Sequence, residues 1–243
     1  MLDSYGIPTY RFSAVSSVTA VASDFHPHGV AERSADDEAG RPGRVSRALD
    51  IIVALAALVV FAPIMLVAAI AILVTSSGPV LFRQRRIGQN GEFFTCLKFR
   101  TMHVDAAEML DALLANDPAA RAEWQRNHKL KNDPRIIGIG NFLRKTSFDE
   151  LPQLFNVLAG DMAVVGPRPI IPPEIARYGR HFGAYCSVRP GITGLWQVTG
   201  RSDTSFRRRV ACDIVYARRK SPLVDLRIIM CTVPVVLIGR GAC

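Results

Sequence analysis

The chain lacks the short signatures that announce the commonest chemistries. It has no GxxxxGK[ST] loop, no GxGxxG turn, no HExxH pair and no GxSxG elbow, which sets aside P-loop, dinucleotide-binding, zinc-protease and serine-hydrolase readings. His26, His28, His103, His128 and His181 are scattered, so no zinc site is expected from them. Cys96, Cys186, Cys212, Cys231 and Cys243 are odd in number, far apart and without a CxxC pair. They read as reduced thiols facing a cytosol, not as a disulfide framework. Cys243 is terminal and therefore outside a prenylation box. No internal repeat is visible, and residues 1–45, rich in Ser, Ala, Gly, Asp and Arg, have no apolar period. They are expected to form a disordered N-terminal segment, and they do not read as a secretory signal because the apolar run begins too late.

A further absence is that of charge between residues 51 and 74, "IIVALAALVVFAPIMLVAAIAILV". At about 1.5 Å per residue this run is long enough for a bilayer core of roughly 30 Å. Two features speak against a simple crossing. Pro63 sits near the middle, where a proline removes a backbone hydrogen bond and crowds the preceding turn. A tolerated kink in a straight span is the alternative. Arg41, Arg44 and Arg47 precede the run and Arg83, Arg85 and Arg86 follow it, whereas a crossing segment concentrates its bases on one side. Residues 46–78 are therefore expected to form a re-entrant helix hairpin that turns at Pro63 and returns to the cytoplasmic face. Residues 79–243 then make a membrane-associated catalytic domain.

What is present in excess is positive charge: 30 Lys and Arg against 21 Asp and Glu, a formal +9. Such a balance points to a nucleic acid, a membrane surface or a phosphorylated substrate, or simply to a solvated basic face. After "SSGPV" the pattern becomes that of a soluble domain. Residues 80–83 and 93–99 read as strands flanking the turn "GQNGE". Residues 104–115 and "AARAEWQRNHKL" read as helices, the second with Trp124 as an interfacial anchor. Ser147 is placed to cap a helix beginning near Asp149 and Glu150, with Leu151, Leu154, Phe155 and Leu158 on one face and Gly160 as its stop. Pro152 falls in its first turn. "GPRPIIPPE" cannot be regular helix, and "RPGITGLWQVTGRSD" reads as loop and strand whose glycines permit close backbone approach. "FRRRVACDIVYARR" is amphipathic, with Val210, Ile214 and Val215 on one side, and "LVDLRIIMCTVPVVLIG" suits an interfacial helix. The fold class expected is α+β, mainly helical, with a small β-sheet.

The adjacent carboxylates of Asp149 and Glu150 have a plain explanation in compensation of a helix dipole. Their surroundings allow another. Lys98, Arg100, Arg144, Lys145, Arg168 and Arg189 stand near glycines, prolines or strand ends, and Gly-Pro-Arg-Pro at 166–169 fixes the backbone around one arginine. A held guanidinium grips phosphate through paired hydrogen bonds. Carboxylates among such bases suit a Mg²⁺ bridge to phosphate, or attack on phosphorus to give an acyl phosphate.

"KFRTM" (98–102), "DPRI" (133–136), "LRKTSFDELPQLFNVLAGDMAVVGPRP" (143–169) and "RPGITGLWQVTGR" (189–201) resemble, in order and spacing, the bacterial sugar transferase family, the monotopic phosphoglycosyl transferases. The resemblance covers about residues 45–243 and is nearest to the small exopolysaccharide-initiating members. It implies transfer of a sugar 1-phosphate, with galactose favoured, from a UDP-sugar to undecaprenyl phosphate at the cytoplasmic face of the bacterial inner membrane, releasing UMP. By the same resemblance Asp149 is the nucleophile and Glu150 holds Mg²⁺. Lys98, Arg144 and Arg168 bind phosphates, Arg189, Gln197 and Arg201 contact the nucleotide, and Asp213 matches an acidic position of the family. The family's Ser-Pro at the helix break is Ala62-Pro63 here. Other readings are a catalytically silent scaffold for polysaccharide enzymes, against which the intact dyad speaks, and a tethered nucleic-acid binder using "FRRRV" and "ARRK", for which no motif exists. Partners are expected to be the two substrates and membrane lipids, with no nucleic acid and with room for a homo-oligomer.

Overall fold

The computed structural model describes residues 43–127, 129–199 and 205–238. The expected disordered segment 1–45 lies, up to residue 42, outside the described residues.

Helix α1 spans Arg44–Thr75 and runs as one helix through Pro63. There is no loop separating two arms at Pro63: the proline removes one hydrogen bond, and the turns on either side keep theirs. Both ends of α1 are tied to the same body. Near its start, Arg47 donates to the carbonyls of Val157 at 2.7 Å and Leu158 at 3.1 Å, and Asp50 accepts from Val164 N at 2.8 Å. Near its end, Ala68 and Ile72 are buried against Phe99, Ile137 and Leu143. Arg100 closes the helix by donating Nε to Pro79 O at 2.6 Å, Nη1 to Ser76 Oγ at 2.8 Å and Nη2 to Ser76 O at 2.9 Å. Between these ends only 11 % of the most apolar stretch is covered by the rest of the chain. Val59, Val60, Leu66 and Val67 are left exposed.

The hairpin expected around "GQNGE" is present. Strand β1 (Leu81–Ile87) pairs antiparallel with β2 (Phe93–Phe99) from Leu81↔Phe99 to Ile87↔Phe93. β1 runs four residues past the expected end because residues 84–87 pair with Phe93–Cys96 of β2, and Ile87 also bridges Ile170 outside the hairpin. The turn needs left-handed backbone at Asn90 (φ 58°) and Gly91 (φ 80°), residues that tolerate it. On the far edge of β2 a side chain replaces a neighbouring strand. Asn156 accepts from Leu97 N at 2.9 Å and donates to Thr95 O at 2.7 Å.

Helices α2 (Ala106–Asn116) and α3 (Pro118–Asn127) form an arm, broken at Asp117, whose carboxylate accepts from Ala119 N at 2.8 Å. Trp124 lies half-buried under the Arg135 guanidinium, 5.1 Å from its ring centroid. Helix α4 (Gly140–Thr146) leads to the acidic pair. Ser147 does not cap a following helix. It is left-handed (φ 60°), ends α4 by donating its N–H to Arg144 O, and its side chain accepts no capping bond. One 3₁₀ turn, Phe148–Glu150, follows. Helix α5 (Gln153–Ala159) begins only after Pro152 and stops at Gly160, left-handed as expected at φ 97°. Of the expected face, Leu154 is buried and Leu151 and Leu158 pack against the same core, while Phe155 is exposed and Gln153, Asn156 and Val157 are buried beside Leu154.

Strands β3 (Ala163–Val165) and β4 (Gly191–Thr193) pair in parallel. A Cβ on Gly166 or Gly191 would collide with the other segment's backbone, which is the close approach the glycines were expected to permit. Short helices α6 (Ile175–Tyr178) and α7 (Phe182–Cys186) precede β4. In the segment expected to be loop and strand, β4 is the strand and residues after it form helix α8 (Leu195–Thr199). Helix α9 (Phe206–Arg219) buries Val210, Asp213 and Tyr216 and exposes Val215. Helix α10 (Pro222–Ile238) packs on α1 and β3.

Candidate active site

Alternation along the hairpin puts Lys98 on one face of β2 with Cys96. Phe99 on the opposite face is buried in the α1 core. Asn156 clamps the outer edge of β2, so Lys98 is held at a fixed height. The 3₁₀ turn brings Glu150 to meet it. Lys98 Nζ lies 2.6 Å and Arg168 Nη2 2.9 Å from the same oxygen, Glu150 Oε1. Arg168 is presented by the 166–169 segment, which is pinned beside β4 by Gly191 N donating to Pro167 O at 2.8 Å.

The two neighbouring carboxylates have opposite electrostatics. Burial, reinforced by the Glu150 charge, pushes Asp149 up to about 6 against the pull of Lys98, Arg168 and Arg144. Burial would raise Glu150 too, but Arg168 and Lys98 outweigh it and hold that carboxyl down at about 2. One member of the pair is thus a fixed anion and the other is poised near neutrality. Arg144 serves the Asp149 side. Its Nε donates to Thr101 Oγ1 at 2.8 Å, and its charge acts on both Asp149 and Asp133. Asp133 is in turn locked to Arg135 at 2.8 and 2.6 Å. This explains why "KFRTM" and "DPRI" act together: Met102 bridges Ile136, and Ile137 N donates to Thr101 O at 3.1 Å.

Two cavities flank the dyad. The polar one is lined by Arg86, Cys96, Lys98, Glu150, Gln153 and Arg168, and the space left between these side chains is about 10 Å³, room for about one water. The apolar one, of about 330 Å³, is lined by Pro63, Ile64, Val67, Ala68, Phe142 and Phe148 among others. Glu150 lines the first, Phe148 the second, and Asp149 is the residue between them.

A family model described as bacterial sugar transferase matches residues 42–239. The chain belongs to the bacterial sugar transferase family. This sugar transferase chain is 49 % identical over 198 residues to an uncharacterized sugar transferase of Haemophilus influenzae, covering 82 % of this chain and 42 % of that one. It is 46 % identical over 198 residues to the undecaprenyl-phosphate galactose phosphotransferase of Salmonella typhimurium, covering 82 % and 41 % respectively. It is 42 % identical over 200 residues to the exopolysaccharide production protein ExoY of Sinorhizobium fredii, covering 82 % of this chain and 88 % of that one. The chain thus spans about two-fifths of the first two relatives and most of the third.

Of the site residues expected in this sugar transferase, Asp149, Glu150, Lys98, Arg144 and Arg168 come together. Gln197 lies close by, its Nε2 donating to Ile192 O at 3.0 Å and its buried Oε1 without a partner. Arg189 turns elsewhere: its charge interacts with Arg47, Asp50 and Asp161, under the start of α1. Asp213 is buried in another cluster, accepting from the Tyr178 hydroxyl at 2.7 Å, and burial pushes it up to about 6. Arg201 lies outside the described residues. Arg86, counted in the sequence only as a base flanking the apolar run, lines the polar cavity. The strand alternation that places Lys98 was the signal that could have found it.

Proposed function

We propose that this sugar transferase moves a sugar 1-phosphate, from a hexose donor with galactose favoured, out of a UDP-sugar and onto undecaprenyl phosphate. This would be the first membrane step of exopolysaccharide biosynthesis, at the cytoplasmic face of the inner membrane. The observation that carries the reading is the dyad's place: two carboxylates of opposite electrostatics, set between a cationic cavity and an apolar one. The relatives' names supply the substrate classes: an undecaprenyl-phosphate galactose phosphotransferase and a UDP-galactose-lipid carrier transferase.

In the proposed mechanism an Asp149 oxygen attacks the β-phosphorus of the donor. The bond from that phosphorus to the bridging oxygen breaks, UMP leaves with the bonding electrons, and an aspartyl phosphosugar remains. An oxygen of the lipid phosphate then attacks the same phosphorus, and the aspartyl P–O bond breaks to regenerate Asp149. Before the donor arrives, Glu150 keeps Lys98 and Arg168 in place. The donor's phosphates then draw on these bases, which are already oriented. The apolar cavity beside Phe148 suits an isoprenoid chain.

The dyad also fits Mg²⁺. Both bases meet Oε1 of Glu150, and Mg²⁺ commonly takes one or two carboxylates and completes its shell from phosphates and water. Glu150 would hold the ion, which neutralises diphosphate charge when bound. Entry and return on one face, by a single helix through Pro63 and not by a hairpin, is the placement of α1 that the packing of both helix ends on one body supports.

The deciding experiment is UMP release from a panel of UDP-sugars with undecaprenyl phosphate in vesicles, with single-turnover trapping of a phosphosugar mass on the protein. Wild-type turnover with loss in Asp149→Asn is the expected outcome. Full turnover by that variant would remove the nucleophile assignment.

A further inference from the structure

On the hairpin face that carries Lys98, register also places Gln84 opposite Cys96 and Arg86 opposite Phe94. Arg86 is half-buried and lines the polar cavity. Its guanidinium is held by three hydrogen bonds to two neutral acceptors. Nε and Nη2 donate to Gln84 Oε1 at 3.1 and 2.6 Å, and Nη1 donates to Pro169 O at 2.8 Å. Three of its five N–H donors are thereby used and two are left to point at a ligand. No carboxylate lies within ion-pair distance of Arg86 among the described residues, whereas Lys98 and Arg168 share Glu150. The cavity lining thus carries three cations and one anion, and a partly desolvated cation without a counter-charge is costly unless an anion is its partner.

The position narrows that anion. Arg144 is the base whose charge acts on Asp149 without lining the polar cavity, and Lys98 and Arg168 sit at Glu150. Arg86 lies further along the hairpin, four residues from Phe82, the partner of Lys98. In an in-line displacement the leaving group departs opposite the nucleophile. We infer that Arg86 binds the phosphate that stays with the nucleoside: the α-phosphate of the donor, and then the phosphate monoester of the nucleotide released. This rests on the proposed reaction and adds a residue and a subsite to it. Gln84 and Pro169 act as the mould that keeps the fork oriented.

The test uses the full chain in vesicles, with direct calorimetric titration of UMP and steady-state kinetics. Arg86→Gln should weaken UMP binding and raise KM for the UDP-sugar by about tenfold to a hundredfold, the range for a charged hydrogen-bonding group. KM for the polyprenyl phosphate should stay within about twofold. Arg86→Lys, which keeps charge but loses the fork, should fall between wild type and Arg86→Gln. UMP affinity unchanged in Arg86→Gln, or a fall in kcat alone, would overturn the assignment and make Arg86 a prop for the Pro169 loop. If Arg86→Gln does not fold, Arg86→Lys decides in the same way. Wild-type protein that releases no UMP from any UDP-sugar would instead strike the proposed reaction itself.

Discussion

Asp149 and Glu150 are adjacent in the chain yet titrate far apart, and this makes separable predictions. If Asp149 attacks as the carboxylate, turnover should rise with pH through about 6 and level off above it. The same shift has a stability consequence. Its folded pKa is raised, so the folded state prefers the neutral form, and Asp149 destabilises the fold increasingly as pH rises from about 4 through 6. Asp149→Asn should therefore be inactive yet more stable than wild type by on the order of 2 kcal/mol at pH 8. The gain should vanish below pH ~4, and denaturant melts at the two pH values check it. Asp213 predicts a contrast. Its carboxylate is spent on Tyr178, so Asp213→Ala should cost about 1–3 kcal/mol of stability and leave the donor KM unchanged in the UMP-release assay. The clustering of Asp149 and Glu150 with Lys98, Arg144 and Arg168 was legible because these residues sit in ordered motifs; their roles belong to the proposed reaction. Spacing alone does not show that Arg189 interacts with Arg47, Asp50 and Asp161 instead of the dyad, or that Arg86 lines the polar cavity, because tertiary packing sets both.

At the level of elements, the strands and longer helices followed their hydrophobic periods, while short pieces did not. A five-residue helix such as α8 is too short to show a 3.6-residue period. The turn after Ser147 was read as a helix start because serine followed by acids is the usual cap pattern. The left-handed Ser147 separates α4 from the dyad instead, so the carboxylates ride on a single tight turn. The least legible device is Asn156. Its amide completes the free edge of β2 and also reaches Asp161 Oδ2 at 3.1 Å. Asn156→Leu keeps the volume but leaves a buried position without its bonds to the part-buried Leu97 N, Thr95 O and Asp161, so it should cost about 1–3 kcal/mol. Because β2 carries Lys98, kcat should fall even where the protein remains folded, and a melt combined with the UMP-release assay separates the two effects.

At the scale of the whole molecule, the +9 charge does not behave as one diffuse basic face. Arg47 caps α5, Arg100 caps α1, and Arg86 lines the cavity. Arg47 and Arg86 are therefore not free charges flanking the apolar run. The packing of both α1 ends on one body takes their place. Cysteines introduced at exposed Arg44 and Arg83, in a background lacking Cys231, should label from the same side of sealed vesicles. Labelling from opposite sides would make α1 a crossing helix.

The Phe61 ring of α1 lies 6.3 Å from that of Phe148, the residue before Asp149. The apolar helix and the acidic dyad are thus one contact apart. If the proposed reaction holds, such a joint would work as a depth gauge: the carboxylate would stay at one level relative to α1 however the protein drifts, and its encounter with a lipid-borne phosphate would become a search in two dimensions.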